Sequence, residues 1–260
     1  MAFVEWKRIG EQNNIAEIIL NRPEARNAFT TAMAEQIIEI TEEIANSDIR
    51  AVLITSSTPK AFCSGADLKE RNNMTEEQWK NQHLVFQKMF NSIQDLKQPV
   101  IAVVDGYALA GGMEIILNCD MIVAAHTAKF GLPEVTRGIM PGGGGTRLLS
   151  KRIGVHRAKE WTCTGKIVSA EEADKAGLLN VLASSEEIRD KALEIAEKIA
   201  KNAPIAVQNV KASIETLFGM PNEEARKKEI EFYNQCLDTE DRFEGVRAFV
   251  EKRDPVFKGR

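Results

Sequence analysis

The sequence predicts an α/β protein in which strands alternate with helices and then give way to a helical C-terminal region. Three observations carry this reading. Short, predominantly apolar runs recur at residues 15–20, 51–55, 100–104 and 121–125, and such runs bounded by turn residues read as buried strands. Helical spacing fills the intervals, so the connections are crossovers rather than hairpins. After residue 184 the strand signals vanish and only amphipathic helical spacing remains.

The elements follow in order. Residues 15–20 are the first strand, ended by Asn21-Arg-Pro23. A helix starts near Thr30, with Met33, Ile37, Ile40 and Ile44 on one face. Residues 51–55 form the next strand, and Ser56 to Pro59 turn the chain into a glycine-containing loop over 62–67. The polar stretch 70–80 breaks the rhythm. Within it, Thr75 and Gln78 form a capping box for a long helix whose stripe is Phe86, Phe90, Ile93 and Leu96. Residues 100–104, between Pro99 and Asp105-Gly106, are a buried strand. Ala110-Gly111-Gly112 then open a helix over 113–118 that carries Glu114 in its first turn, and Glu134 lies just past the strand at 121–125. Ser169 and Glu172 cap a short helix closed by Gly177, and residues 178–182 are the last strand. Ser184 and Glu187 cap a helix bearing Ile188, Ala192, Ile195 and Ile199. Three further helices are expected: one through Val207, Val210, Ile214 and Leu217, one over 230–237 and one over 239–250.

Composition excludes several classes. A chain of 260 residues can bury a sizeable core. Its formal net charge of −4 argues against a binder driven by phosphate neutralisation. No apolar run reaches membrane-spanning length, and the first residues show neither a basic leader nor an uninterrupted apolar stretch, which makes the cytoplasm the default expectation. Cys63, Cys119, Cys163 and Cys236 form no Cys-x-x-Cys pair, and His83, His126 and His156 are scattered. No metal site is expected, and the cysteines read as small apolar residues in a reducing compartment.

Strand, glycine pair, carboxylate, strand, carboxylate is the layout of a site. Glycines let a ligand approach bare backbone N–H groups, and a helix start adds a positive potential there. The run Gly142 to Gly145 is not followed by Gly-Lys-Ser/Thr, so it is not a phosphate loop of the P-loop type.

Two segments, Pro99 to Glu134 with the loop 141–146, and Ala61-Phe-Cys-Ser-Gly-Ala-Asp-Leu-Lys69, resemble the diagnostic stretches of the crotonase (enoyl-CoA hydratase/isomerase) superfamily. The likeness runs from about Ile15 to the C-terminus. It implies a spiral of β-β-α units over 1–197 and a helical trimerisation region over 198–260, as a homotrimer or a hexamer of two trimers. It also implies an acyl-CoA substrate, with coenzyme A part of that substrate and no metal or redox cofactor. By the same resemblance the backbone N–H groups of Ala66 and Gly111 form the oxyanion hole. Glu114 and Glu134 are the catalytic pair that holds one water, Glu114 taking its proton and Glu134 supplying a proton to the α-carbon. Substrate and coenzyme contacts fall at Arg26, Ser64, Ala66, Asp67, Leu68, Lys69, Gly142, Phe249 and Lys252. The last two reach a neighbouring chain's coenzyme in relatives. The side chains of Asp67 and Asp120 read as structural.

Isomerases of the superfamily commonly keep only the second acid, so two glutamates point to the hydratase branch: reversible hydration of a short trans-2-enoyl-CoA of the β-oxidation type. Two alternatives stand beside this reading. A 3-methylglutaconyl-CoA hydratase shares the loop 141–146 and the tail from Asp241, and an RNA-binding relative would need a lysine-rich helix where residues 81–97 carry few lysines. A diacid substrate requires a cation in the acyl pocket. Arg71 and Arg137 are the candidates, and both are expected to face water.

Overall fold

Ten strands form two sheets in the computed structural model, which describes residues 3–260. They are β1 (Val4–Ile9), β2 (Ile15–Leu20), β3 (Ala51–Ser56), β4 (Ala61–Cys63), β5 (Val100–Val104), β6 (Tyr107–Leu109), β7 (Met121–Ala125), β8 (Lys129–Gly131), β9 (Ile167–Ser169) and β10 (Val181–Ala183). The larger sheet has the order β1-β2-β3-β5-β7-β10, with β1 antiparallel to β2 and every other pair parallel. The smaller sheet has the order β4-β6-β8-β9, parallel except for β8 with β9. Three times a strand of the larger sheet is followed at once by a strand of the smaller: β3–β4, β5–β6 and β7–β8. Helices follow each pair, giving the winding β-β-α spiral of the crotonase fold.

The continuous apolar runs have a direct cause, because β3, β5 and β7 are covered on both faces. Side chains alternate across a strand. Val52, Ile54, Val100, Ala102, Val104, Ile122 and Ala124 therefore join the main core, while Ala51, Leu53, Ile101, Val103, Val123 and Ala125 face the other way.

The helices of the spiral are α1 (Thr31–Ala45), α2 (Leu68–Arg71), α3 (Glu76–Gln94), α4 (Gly111–Leu117), α5 (Gly145–Ile153), α6 (Val155–Thr164) and α7 (Ala170–Lys175). The C-terminal region holds α8 (Ile188–Ala200), α9 (Pro204–Leu217), α10 (Asn222–Asn234) and α11 (Glu240–Glu251). Thr30 caps α1 through Met33 N–H, and Thr75 with Gln78 closes a full capping box on α3. The helix α8 lays Ile188, Ala192, Ala196 and Ala200 on the second face of the larger sheet. Asp120 is structural: its carboxylate accepts from Val100 N–H and pairs with Lys211 at 2.7 Å, tying α9 to the sheet. None of the helices is long and apolar enough to cross a membrane among the described residues.

Several sequence expectations need correction. Phe62 and Cys63 belong to strand β4 rather than to a loop. The last strand starts at Val181, because Gly177 and Leu178 are still held by α7 carbonyls. Ser184 does not cap α8 with its hydroxyl; the Glu187 carboxylate instead accepts from the Ser184 N–H and hydroxyl. The helix expected over 230–237 starts eight residues earlier, at Asn222, and ends at Asn234. Strands β1, β6, β8 and β9 and helices α2, α5 and α6 were not legible.

Candidate active site

Two backbone loops meet where the paired strands β4 and β6 of the smaller sheet end. After β4 the chain passes Gly65 at φ +96°. Phe29 N–H donates to the Gly65 carbonyl and Asp67 N–H donates to the Phe29 carbonyl, each at 2.9 Å. This bridge uses the neighbours of Ala66 on both sides, which leaves the Ala66 N–H on the opposite side of the strand. After β6 the chain passes Ala110, whose φ of +49° is a left-handed value that costs a residue with a Cβ about 1–3 kcal/mol. The turn is secured by Ala110 N–H donating to the Gly131 carbonyl at 2.9 Å. It delivers Gly111 as the first residue of α4, a position whose N–H has no intrahelical acceptor. The loops touch: a Cβ at Gly65 would lie 3.1 Å from the Gly111 nitrogen, and one at Gly112 would lie 2.1 Å from the Cys63 carbonyl oxygen.

Glu114 sits in the first turn of α4, 4% exposed. Its Oε1 accepts from Gly143 N–H at 2.6 Å and Gly145 N–H at 3.0 Å. Burial raises its pKa, and these two donors, which favour the charged form, hold the rise back. Glu134 lies in a 3₁₀ turn, Pro133–Arg137, 7% exposed. Both of its carboxylate oxygens are buried without a hydrogen-bond partner. Burial pushes its carboxyl up to about 7, and the Glu114 charge adds to the rise. One carboxylate is thus pinned, and the other is free to bond to whatever enters.

Both face a cavity of about 1350 Å³ with largely apolar walls, among them Phe29, Phe86, Phe90, Leu109 and Met140. Of the sequence-predicted residues, Ser64, Ala66, Leu68, Gly111, Glu114, Glu134 and Gly142 line it. Asp67 does not: its carboxylate caps α2 and pairs with Arg22 at 2.6 Å. Arg26 and Lys69 are exposed outside the lining. Phe249, 85% exposed, and Lys252, at the end of α11, stand on the C-terminal helix away from this chain's cavity.

Arg71 corrects the expectation that it faces water. It is half-buried in the cavity lining, with its guanidinium 4.2 Å from the Trp79 ring centroid and 5.2 Å from that of Phe86. Arg137 also borders the cavity but is exposed and donates to its neighbour Thr136. Trp79 and His83 were missed as lining residues. With Phe86 and Phe90 they continue one helical stripe along α3, at the spacing that puts them on one face. Extending the stripe back to the capping box was the signal that could have found them.

A two-sheet β-β-α spiral that sets two buried carboxylates in an apolar cavity beside paired backbone loops defines an enzyme of the crotonase type. The chain belongs to the enoyl-CoA hydratase/isomerase family, whose pattern it matches over residues 10–260. It superposes on a crystal structure of an enoyl-CoA hydratase from Bacillus anthracis with a TM-score of 0.96 at 39% identity, covering 99% of this chain and 100% of that one. It is 37% identical over 244 residues to the short-chain-enoyl-CoA hydratase of Clostridium acetobutylicum, 94% of each chain. The 2,3-dehydroadipyl-CoA hydratase of Escherichia coli is 34% identical over 252 residues, 97% of this chain and 98% of the other.

Proposed function

We propose that the protein adds water reversibly to trans-2-enoyl-CoA thioesters of short chain length, giving 3-hydroxyacyl-CoA. The observation that carries this is the contrast between the carboxylates: Glu114 fixed by two backbone donors, Glu134 buried with no partner at all. In this reading the thioester oxygen lies between the Ala66 and Gly111 N–H groups, which are fixed before the reaction and aimed where negative charge develops. Glu114, as carboxylate, takes a proton from the water whose oxygen bonds to C3. Glu134, as carboxylic acid, gives its proton to C2 as the enolate collapses. The two glutamates exchange protonation states in each turn and reset through solvent. Coenzyme A enters only as part of the substrate. The two relatives are named for a short-chain and a dicarboxylic enoyl-CoA; both substrates contain the same reacting enoyl thioester.

The test is loss of conjugated enoyl-thioester absorbance with crotonyl-CoA across pH. The acid must be protonated, so hydration is expected to slow as pH rises through about 7, the value for Glu134. The limiting slope is about tenfold per pH unit. The base must be ionised, so a second limb appears on the acid side, set by Glu114. A profile that stays flat from about pH 6 to about pH 9 rules out Glu134 as the acid.

Assembly belongs to the same proposal: trimers, paired into hexamers, through residues 198–260. Val210, Ile214, Phe218, Ile230 and Tyr233 on and beside α9 and α10 are all more than half exposed. Large apolar side chains left exposed at helical spacing on these helices are what an interaction surface would use, and a closed symmetric oligomer would bury them. Sedimentation at micromolar concentration is expected to give a trimer or hexamer; a monomer refutes the assembly.

A further inference from the structure

We propose that Arg71 forms a subsite for a carboxylate at the far end of the acyl chain, so that the preferred substrates are 2-enoyl thioesters of short dicarboxylic acids. The inference rests on the hydratase reading above and specifies its acyl group.

Arg71 Nε donates to Gln82 Oε1 at 2.8 Å, and among the described residues the two terminal nitrogens have no acceptor. Gln82 is itself fixed. Its Nε2 donates to Glu70 Oε2 at 2.8 Å and to Thr31 Oγ1 at 2.9 Å, and Glu70 accepts from the Thr31 N–H. Glu70, the carboxylate whose charge acts on Arg71, is therefore already committed to α1 and Gln82. The guanidinium is held in one orientation, stacked over Trp79 and Phe86, with its bidentate edge unused. The other cations bordering the cavity differ: Lys80 pairs with Glu76 at 2.6 Å, and Arg137 is exposed.

Placement points to the acyl chain. Arg71 stacks on Phe86, whose ring meets Phe29 edge-on at 4.8 Å. A Cβ at Gly111 would touch Phe29 at 2.6 Å. Arg71 and the thioester-oxygen site thus share one aromatic wall, two rings apart. A desolvated cation facing an apolar cavity is unfavourable alone, and a planar carboxylate that takes both terminal nitrogens relieves it. A neutral alkyl chain leaves it unpaired.

The coenzyme's phosphates are the other anions within reach of such a cation, and the test separates them. kcat/KM is measured for glutaconyl-CoA and 2,3-dehydroadipyl-CoA against the neutral 2-pentenoyl- and 2-hexenoyl-CoA, in the parent and in Arg71→Met. The parent is expected to prefer at least one diacid by about 10- to 100-fold, the range of a hydrogen-bonded charged pair. Arg71→Met is expected to erase that ratio. Both rates come from one preparation, so partial unfolding cancels, and the parent's preference needs no variant. A parent that favours the neutral chains overturns the subsite. An Arg71→Met loss that is equal on diacid and neutral substrates does the same, assigning the arginine to the coenzyme. If crotonyl-CoA is hydrated and no diacid is preferred, only the subsite fails; if no enoyl-CoA is hydrated, the hydratase reading fails with it.

Discussion

Glu134→Gln is expected to lower the hydration kcat by about 10²- to 10⁴-fold, the usual contribution of a positioned general acid, and Glu114→Gln by a comparable factor. Glutamine keeps the volume at both sites, and the local structure accommodates each change for a different reason. At 114 the amide oxygen can still accept from Gly143 and Gly145 N–H, so the loop stays anchored while the basic charge is lost. At 134 neither oxygen has a partner to lose. Thioester binding, measured by calorimetry, should survive both substitutions. Either variant retaining near-parental turnover removes that residue from the mechanism.

Stability gives an independent readout at Glu134. Its folded pKa, about 7, is raised above the unfolded value. Its contribution to stability is therefore fully present below the unfolded pKa and is lost as pH rises through about 7. The parent's Tm should fall over that window by more than the Glu134→Gln variant's, because the amide has no charge to bury.

Gly112→Ala is the second large effect. The added methyl would sit 2.1 Å from the Cys63 carbonyl oxygen and 2.7 Å from its carbon, both backbone atoms of β4. No rotamer relieves this clash; α4 or β4 must move. Overpacking of this kind costs about 1–3 kcal/mol or more. The start of α4 carries Gly111, and β4 leads into Ala66, so the displacement falls between the two proposed oxyanion donors. Loss of one donor lowers kcat by about 10²- to 10³-fold. Gly154→Ala is the control. At φ +81° with nothing within 4 Å of the new methyl, it adds backbone strain of about 1–3 kcal/mol and is expected to keep its turnover. If Gly112→Ala retains parental kcat in its folded fraction, the two loops do not set the donor spacing.

The features that were legible are those with local causes. The strands at 15–20 and 100–104 are buried on both faces and long enough to display it, and the caps at Thr75 and Ser169 act over three residues of sequence. The smaller sheet was invisible because β4, β6, β8 and β9 are three residues each, too short to show a period. Helix α5 was hidden because it begins at Gly145, inside a glycine run that reads as loop. At the site, the apolar neighbours of Glu114 announced its burial. Glu134, in Leu-Pro-Glu-Val, had no such signal; its burial comes from packing by distant segments. Arg71 stands among Glu70, Asn72 and Asn73, so its surroundings read as solvated. Only the packing of α3 turns it inward.

The spiral also dictates when the site can exist during folding. Each contact that builds it joins one winding to the next: Gly65 to Phe29, Gly112 to Cys63, Ala110 to Gly131, Glu114 to Gly143. None is local in sequence, and non-local parallel pairing is slow to form. A nascent chain that stops after β6 has one donor loop and neither carboxylate. The pocket is therefore complete only once the winding that ends at Gly145 has packed against α4.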